Sequence, residues 1–468
     1  MTDPTAAPDL LGLDRLRAEE YDYLDRDGHV YLDYTGSGLA SRSQLRAHHD
    51  RLSAGLFGNP HSENPPSVAS TLLVEAARRA VLEYLHAAPE EYVVVFTPNA
   101  TGACRLVGEG YPFAPDAELI LTTDNHNSVN GLREFARSGQ ARITKIPFLD
   151  NDLRVDEKAL AEALRATGGR SARLLAYPAQ SNFTGVQHPL DWVSLAQAHG
   201  CHVLLDAAAY LPTNPLRLDQ VKPDFVAISW YKVFGYPTGI GCLVARREAL
   251  ARLHRPWFSG GTIVAVSVEA DWHWLNDDET AFEDGTLNFL SIPDVQVGLS
   301  WVSSVGVEVI QRRVRHLTAD LLRRLQQLQH RNEQPLVRIY GPQDTDRRGG
   351  TVALNLLDPQ GIPVDERLVA IESAAAAISL RTGCFCNPGA GEGAFEITGG
   401  RLAGSSGWGV RTVDEYLDRM DLPTGGAVRV SLGLASNQAD VDRLIDFVER
   451  TYRDRTITTD GLAERRHC

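Results

Sequence analysis

The chain has 468 residues, enough for about three average domains or two large ones and for a sizeable buried core. Hydrophobic residues make up 43%, charged residues 23% and aromatic residues 7%, with 40 Gly and 24 Pro; these values exclude disordered, collagen-like and low-complexity architectures. With 46 Lys and Arg against 60 Asp and Glu the formal net charge is −14, a balance that repels phosphate backbones, so nucleic-acid binding is not expected.

In chain order, a helix is predicted near Leu10–Tyr23, then a short strand at Val30–Asp33, a Gly/Ser turn at Gly36–Gly38 and a loop over 56–66. A helix follows from about Ser67 to His86. Short apolar runs then alternate with helical stretches. The strands are predicted at 93–97, 118–123, 142–146, 173–177, 202–205, 225–229 and 240–245, with helices at Asp156–Ala166 and Pro189–His199 among them. Strands apolar on both faces belong to a sheet covered by helices on two sides, the rhythm of an α/β domain. Beyond residue 300, Ile310, Val314, Leu317, Leu321, Leu325 and Leu328 recur at threes and fours with Arg on the other face, predicting a long amphipathic helix. A second α+β region runs to a last helix with Val441, Leu444, Ile445 and Val448 inward and a cap near Ser436 or Asn437. The Gly-rich stretch from Gly389 to Val410 reads as a mobile loop. A large domain over 46–305 and a small one from 1–45 and 306–468 are expected.

Six cysteines, at 104, 201, 242, 384, 386 and 468, are too sparse and irregular for a disulfide framework. The first residues lack a basic and then apolar leader, and no run of 18 apolar residues occurs. A cytoplasmic protein with free thiols, and no membrane span, is expected.

Lysine occurs only at Lys145, Lys158, Lys222 and Lys232. Only Lys232 follows a buried-looking strand and precedes a Gly-bearing turn. Among apolar neighbours its pKa would fall and it could form a Schiff base, or it could simply snorkel from a strand end. Asp206 ends a strand and so points toward the ligand crevice of an α/β sheet, or caps the next helix. Thr101 and Gly102 lie where a strand turns into a helix whose N–H groups could hold a phosphate, with Ser229 able to add a hydroxyl. His126, just past a strand, could stack on a cofactor or move protons, although a lone histidine is more often structural. The run Arg381-Thr-Gly-Cys-Phe-Cys-Asn-Pro-Gly-Ala390 suggests a reactive thiolate. No second cysteine pair completes a zinc site, and no metal is expected. Arg429 in Val428-Arg-Val-Ser-Leu-Gly433 forks onto a substrate carboxylate or forms an internal ion pair.

Together these segments resemble the class V branch of fold-type I pyridoxal-phosphate enzymes, and within it the cysteine-desulfurase-like N-terminal domain of molybdenum cofactor sulfurases. The shared stretches are Tyr31–Asp33, Gly58–Ser62, Ile228–Gly241, Phe258–Thr262, Phe282–Thr286, Arg381–Ala390 and Val428–Gly433. The resemblance implies a large, mainly parallel-sheet domain beside a smaller α+β domain, and a homodimer. It implies pyridoxal 5'-phosphate on Lys232, with Asp206 at the pyridine nitrogen, His126 on the ring and Asn182 at the phenolic oxygen. Thr101, Gly102 and Ser229 would hold the phosphate, joined by Thr262 from a neighbouring subunit. Arg429 and Arg381 would bind the substrate, and Cys386 rather than Cys384 would be the persulfide cysteine. The implied reaction takes L-cysteine to L-alanine and passes sulfur to a separate acceptor protein or small molecule.

Four departures stand out. The resemblance stops before the sulfurases' molybdenum-cofactor-binding domain; Gly391 replaces a cysteine; Ala209 stands where a polar residue is common; and Tyr34-Thr35 replaces His-Ala. A C–S lyase, an epimerase or a decarboxylase on the same scaffold is the alternative chemistry. A sulfur carrier without catalysis is disfavoured by the intact Lys232, Asp206 and His126.

Overall fold

The computed structural model describes residues 10–60, 62–150, 152–166, 170–397, 409, 411–420, 422, 424–456 and 462–465. His61, Cys468 and most of the Gly-rich stretch beyond residue 397 lie outside the described residues.

The strands in chain order are β1 (Val30–Tyr31), β2 (Tyr92–Thr97), β3 (Glu118–Thr122), β4 (Arg142–Ile146), β5 (Arg173–Pro178), β6 (His202–Asp206), β7 (Phe225–Ser229) and β8 (Gly241–Arg246). They continue as β9 (Ile263–Ser267), β10 (Trp272–Leu275), β11 (Val337–Tyr340), β12 (Thr351–Leu356), β13 (Ile378–Ser379), β14 (Arg381–Gly383) and β15 (Ala427–Ser431). Seven form one sheet in the order β2-β8-β7-β6-β5-β3-β4. Only β8 runs against the rest: it pairs antiparallel with β2 and β7, while β7-β6-β5-β3-β4 are parallel. The expected mainly parallel α/β sheet is therefore present.

Its two faces feed two cores, as strand alternation demands. Val94, Phe96, Val203 and Leu205 pack on one side. Val93, Val95, Leu204 and Leu243 pack on the other, with the helix Ala100–Gly110.

A second, antiparallel sheet has the order β11-β12-β15-β14. The N-terminal segment joins this part of the fold: β1 pairs parallel with β13, and Asp33 bridges to Ser431. Ahead of β11 in the chain comes the helix Val307–Gln327, which buries Ile310, Val314, Leu317, Leu321 and Leu325 as the spacing predicts. Arg313 departs from that pattern: it points inward, where it donates to the Ser436 carbonyl and pairs with Asp14.

One expectation fails clearly. The Gly-rich stretch does not begin as a loop; Pro388–Ala394 is a helix. Pro388 sits at its first turn and the Asn387 side chain accepts a hydrogen bond from Ala390 N, so capping and burial override weak intrinsic propensity. Among the described residues no helix is long and apolar enough to cross a membrane.

Candidate active site

Every β–α connection of interest leaves the same edge of the large sheet. β2 leads to Thr101, β3 to His126, β5 to Asn182, β6 ends on Asp206, and β7 ends on Ser229. The carboxyl edge of a parallel sheet is where strand ends diverge and ligands fit. There they enclose a cavity of about 260 Å³ lined by Thr101, His126, Asn182, Asp206, Ser229 and Lys232. Gln180, Tyr231 and Thr238 complete much of its wall.

Lys232 lies on the one-turn helix Trp230–Phe234, whose Trp230, Val233 and Phe234 are buried. Burial holds the Lys232 pKa below its ordinary value; Arg429 and Arg381 push the same way, and Asp206 opposes them. Asp206 is nearly buried, and its Oδ1 accepts from Ala208 N at 3.0 Å. It thus caps the next turn and also faces the cavity; the two alternative roles coexist. Burial also lowers the His126 pKa, reinforced by Lys232. His126 Nδ1 accepts from Ser128 N at 3.1 Å, which leaves Nε2 to carry the ring proton.

At the start of the helix Ala100–Gly110, Ser229 Oγ accepts from Ala100 N at 2.9 Å and Thr101 Oγ1 meets Ser128 Oγ at 2.7 Å. Gly102 is placed differently. Its N–H is accepted by Asn99 Oδ1 at 3.0 Å, and it borders a neighbouring cavity. Thr262 is buried away from the lysine cavity, its hydroxyl donating to the Ser259 carbonyl at 2.8 Å.

Arg429 and Arg381 face each other across β15 and β14. Like charges in that register repel, and Asp33 answers both. Asp33 Oδ1 accepts from Arg429 at 2.9 Å and Oδ2 from Arg381 at 2.7 Å. The internal ion pair, one of the two alternatives for Arg429, is therefore formed. Arg429 also donates to the Asn182 carbonyl at 3.0 Å and lies over the Phe385 ring at 4.8 Å. Its Nε is buried without a partner among the described residues. Because burial outweighs Asp33, the Arg429 pKa is lowered.

Cys386 is an exposed free thiol, whereas Cys104, Cys201 and Cys242 are buried. Cys384 is disulfide-bonded, so the expectation of uniformly free thiols does not hold there; irregular spacing excludes a framework, not a single bridge. The loop carrying Cys386 reaches the cavity wall, since Asn182 Nδ2 donates to the Phe385 carbonyl at 2.8 Å. Among the described residues no group of three or more His, Cys, Asp or Glu is disposed to hold a metal ion.

Sequence reasoning missed Gln180, Asp33 as the shared counter-ion, and Asn387. Gln180 Nε2 donates to the Ala209 carbonyl at 2.9 Å across the cavity wall. Asp33 and Asn387 lie in stretches already singled out, but their partners are distant in the chain; Gln180, just past a strand, offered only its polarity as a signal.

The chain is similar to the molybdenum cofactor sulfurase of Solanum lycopersicum, 34% identical over 476 residues, covering 94% of this chain and 57% of that protein. It is likewise similar to molybdenum cofactor sulfurase 2 of Culex quinquefasciatus, 36% identical over 455 residues, covering 93% and 58%. It thus spans less than two thirds of these relatives. The fold matches a cysteine desulfurase from Thermococcus onnurineus NA1 at a TM-score of 0.77 and 22% identity, covering 94% of this chain and 97% of that one. It matches the Escherichia coli cysteine desulfurase CsdA at a TM-score of 0.73 and 22% identity, covering 94% and 98%. Residues 30–444 match the family model for class-V aminotransferases, and the chain belongs to that family.

Proposed function

We propose that this chain is a pyridoxal-phosphate-dependent cysteine desulfurase, which converts L-cysteine to L-alanine and passes the sulfur from Cys386 to a separate acceptor. The observation that carries this reading is the exposed free thiol of Cys386 on a loop bonded to the wall of the Lys232 cavity. An epimerase or decarboxylase has no use for such a thiol.

The cavity residues fit pyridoxal phosphate. A lysine with a lowered pKa suits a Schiff base. The nearly buried Asp206 carboxylate suits a protonated pyridine nitrogen, and Thr101 and Ser229 suit a phosphate at a helix start. When bound, pyridoxal phosphate supplies an electron sink for charge developing at the substrate α-carbon. The chain's own residues do the rest. Lys232 Nζ would take the α-proton and return one, His126 would cover the ring, and Asn182 would donate to the phenolic oxygen. Arg429 and Arg381, both fixed by Asp33, would hold the substrate carboxylate. The Cys386 thiolate attacks the substrate sulfur: an S–S bond forms, the C–S bond breaks, and a proton goes to the β-carbon. Cysteine plus the Cys386 thiol becomes alanine plus a Cys386 persulfide, with no oxidant required.

The working form is a homodimer in the cytoplasm. Supporting the dimer, Trp257, Phe258, Val264, Val268, Trp272 and Trp274 are exposed on and beside the β9–β10 hairpin, next to Thr262. Apolar patches of this kind mark interfaces, and a partner subunit there would bring its Thr262 to the phosphate.

The test is incubation with L-cysteine and a reductant. Equimolar alanine and sulfide, lost in Cys386→Ala, support the reading. Pyruvate with sulfide, indifferent to Cys386, makes it a lyase and overturns it.

A further inference from the structure

We infer that Asn387 is a positioning residue that couples the seat of the Cys386 loop to the direction of the Asn182 amide in the cavity; this rests on the proposed role of Asn182 toward the cofactor. Asn387 is fully buried. Its Nδ2 donates to the Asp124 carbonyl at 2.7 Å and to Asn182 Oδ1 at 2.9 Å, and its Oδ1 accepts from Ala390 N at 3.1 Å. Both N–H groups of the amide are therefore spent on fixed partners.

The consequence falls on Asn182. Its Oδ1 is held by Asn387, and one of its N–H groups goes to the Phe385 carbonyl at 2.8 Å. A flipped Asn182 amide would set N–H against N–H at one contact and oxygen against oxygen at the other. Asn387 thus ensures that Asn182 offers the cavity a donor.

Asn182, oriented by Asn387, also holds a strained loop. Phe385 and Cys386 have φ of 55° and 53°, the left-handed region that side chains other than glycine occupy at a cost. The loop stays in this conformation because Asn182 grips the Phe385 carbonyl and Asn127 N grips the Cys386 carbonyl at 2.7 Å. When Cys386 swings away, Asn182 loses its Phe385 partner, and only Asn387 still fixes its amide. Loop position and the hydrogen bond offered to a phenolic oxygen become one equilibrium, and the coupling runs both ways.

Two variants separate this role from simple helix capping. Asn387→Asp keeps an acceptor for Ala390 N but has no donor; Asn387→Ala has neither. The first readout is hydrogen exchange of the full chain without cofactor. Amides of residues 385–391 should exchange about tenfold faster or more in both variants, as loss of a buried hydrogen bond implies. Amides of β5 and β6 should stay protected, which shows that the fold is intact. Wild-type exchange in Asn387→Asp with faster exchange only in Asn387→Ala would reduce Asn387 to a cap and overturn the proposal; so would wild-type exchange in both.

The second readout uses protein loaded with pyridoxal phosphate. The pH at which its visible absorption changes should move upward in Asn387→Asp, because the phenolate loses a well-aimed donor. An unmoved transition overturns the coupling. A wild-type chain that develops no visible band overturns the cofactor reading instead, while the exchange result still decides the latch.

Discussion

Lys232 shows how much one environment can change one residue. The other three lysines lie on turns, edges or polar faces, while Lys232 is surrounded by buried aromatic groups and two arginines. Borohydride reduction of protein loaded with pyridoxal phosphate should therefore attach the cofactor to Lys232 alone, read by peptide mass mapping. Lys232→Ala should lose the visible band and slow turnover by roughly a thousandfold, within the range expected for a positioned general base. Asp33 makes the complementary point. Replacing it with Asn leaves Arg429 buried without a counter-ion, which should cost about 3–5 kcal/mol in urea unfolding. Half-exposed Arg381 adds little to that figure. His126 gives a pH signature. Burial holds its native pKa below the ordinary 6.5, so as pH falls through 6.5 the unfolded chain binds a proton that the native chain does not. Its contribution to stability is present above 6.5 and shrinks as pH drops toward the lowered native value. His126→Gln should flatten that part of the stability profile, measured by urea titration across the range.

At the scale of elements, β1 to β8 were legible as short, mostly apolar runs, each coinciding with an observed strand to within one or two residues, whereas β9 to β14 were not predicted individually. The long helix Val307–Gln327 was legible from its period. Less legible was anything held by distant parts of the chain. Asp33 and Arg429 are 396 residues apart, and the pairing of Asp33 with Ser431, the last residue of β15, helps to bring them together. The helix Pro388–Ala394 was missed for the same reason. Glycine runs favour loops locally, but here Gly389 packs so closely on the Thr123 carbonyl that a Cβ would collide with it. Gly389→Ala should therefore lift this helix from β3's connection, raise exchange of the Cys386 loop, and cost about 1–3 kcal/mol, the usual penalty for overpacking.

For the whole molecule, the two sheets have different tasks. The large one presents a cavity at its carboxyl edge, and the small one brings Arg429 and the Cys386 loop against Asn182 on its wall. This division explains why site residues are scattered from Asp33 to Arg429 and still meet. The hairpin β9–β10 carries apolar side chains that the chain itself does not cover, Val268 at 92% and Trp274 at 62% exposure. Sedimentation should give twice the mass of one chain, and Trp272→Glu with Trp274→Glu should give single chains that hold pyridoxal phosphate more weakly; paired variant chains with unchanged retention would reject this interface.

The measurement that bears most directly on the central claim is the mass of Cys386 after one turnover. Protein loaded with pyridoxal phosphate is mixed with L-cysteine without reductant, quenched with an alkylating agent and digested. The peptide carrying Cys386 should gain one sulfur atom in step with alanine release, and Lys232→Ala should show no gain. Alanine or pyruvate formed while Cys386 remains a plain thiol would contradict that claim.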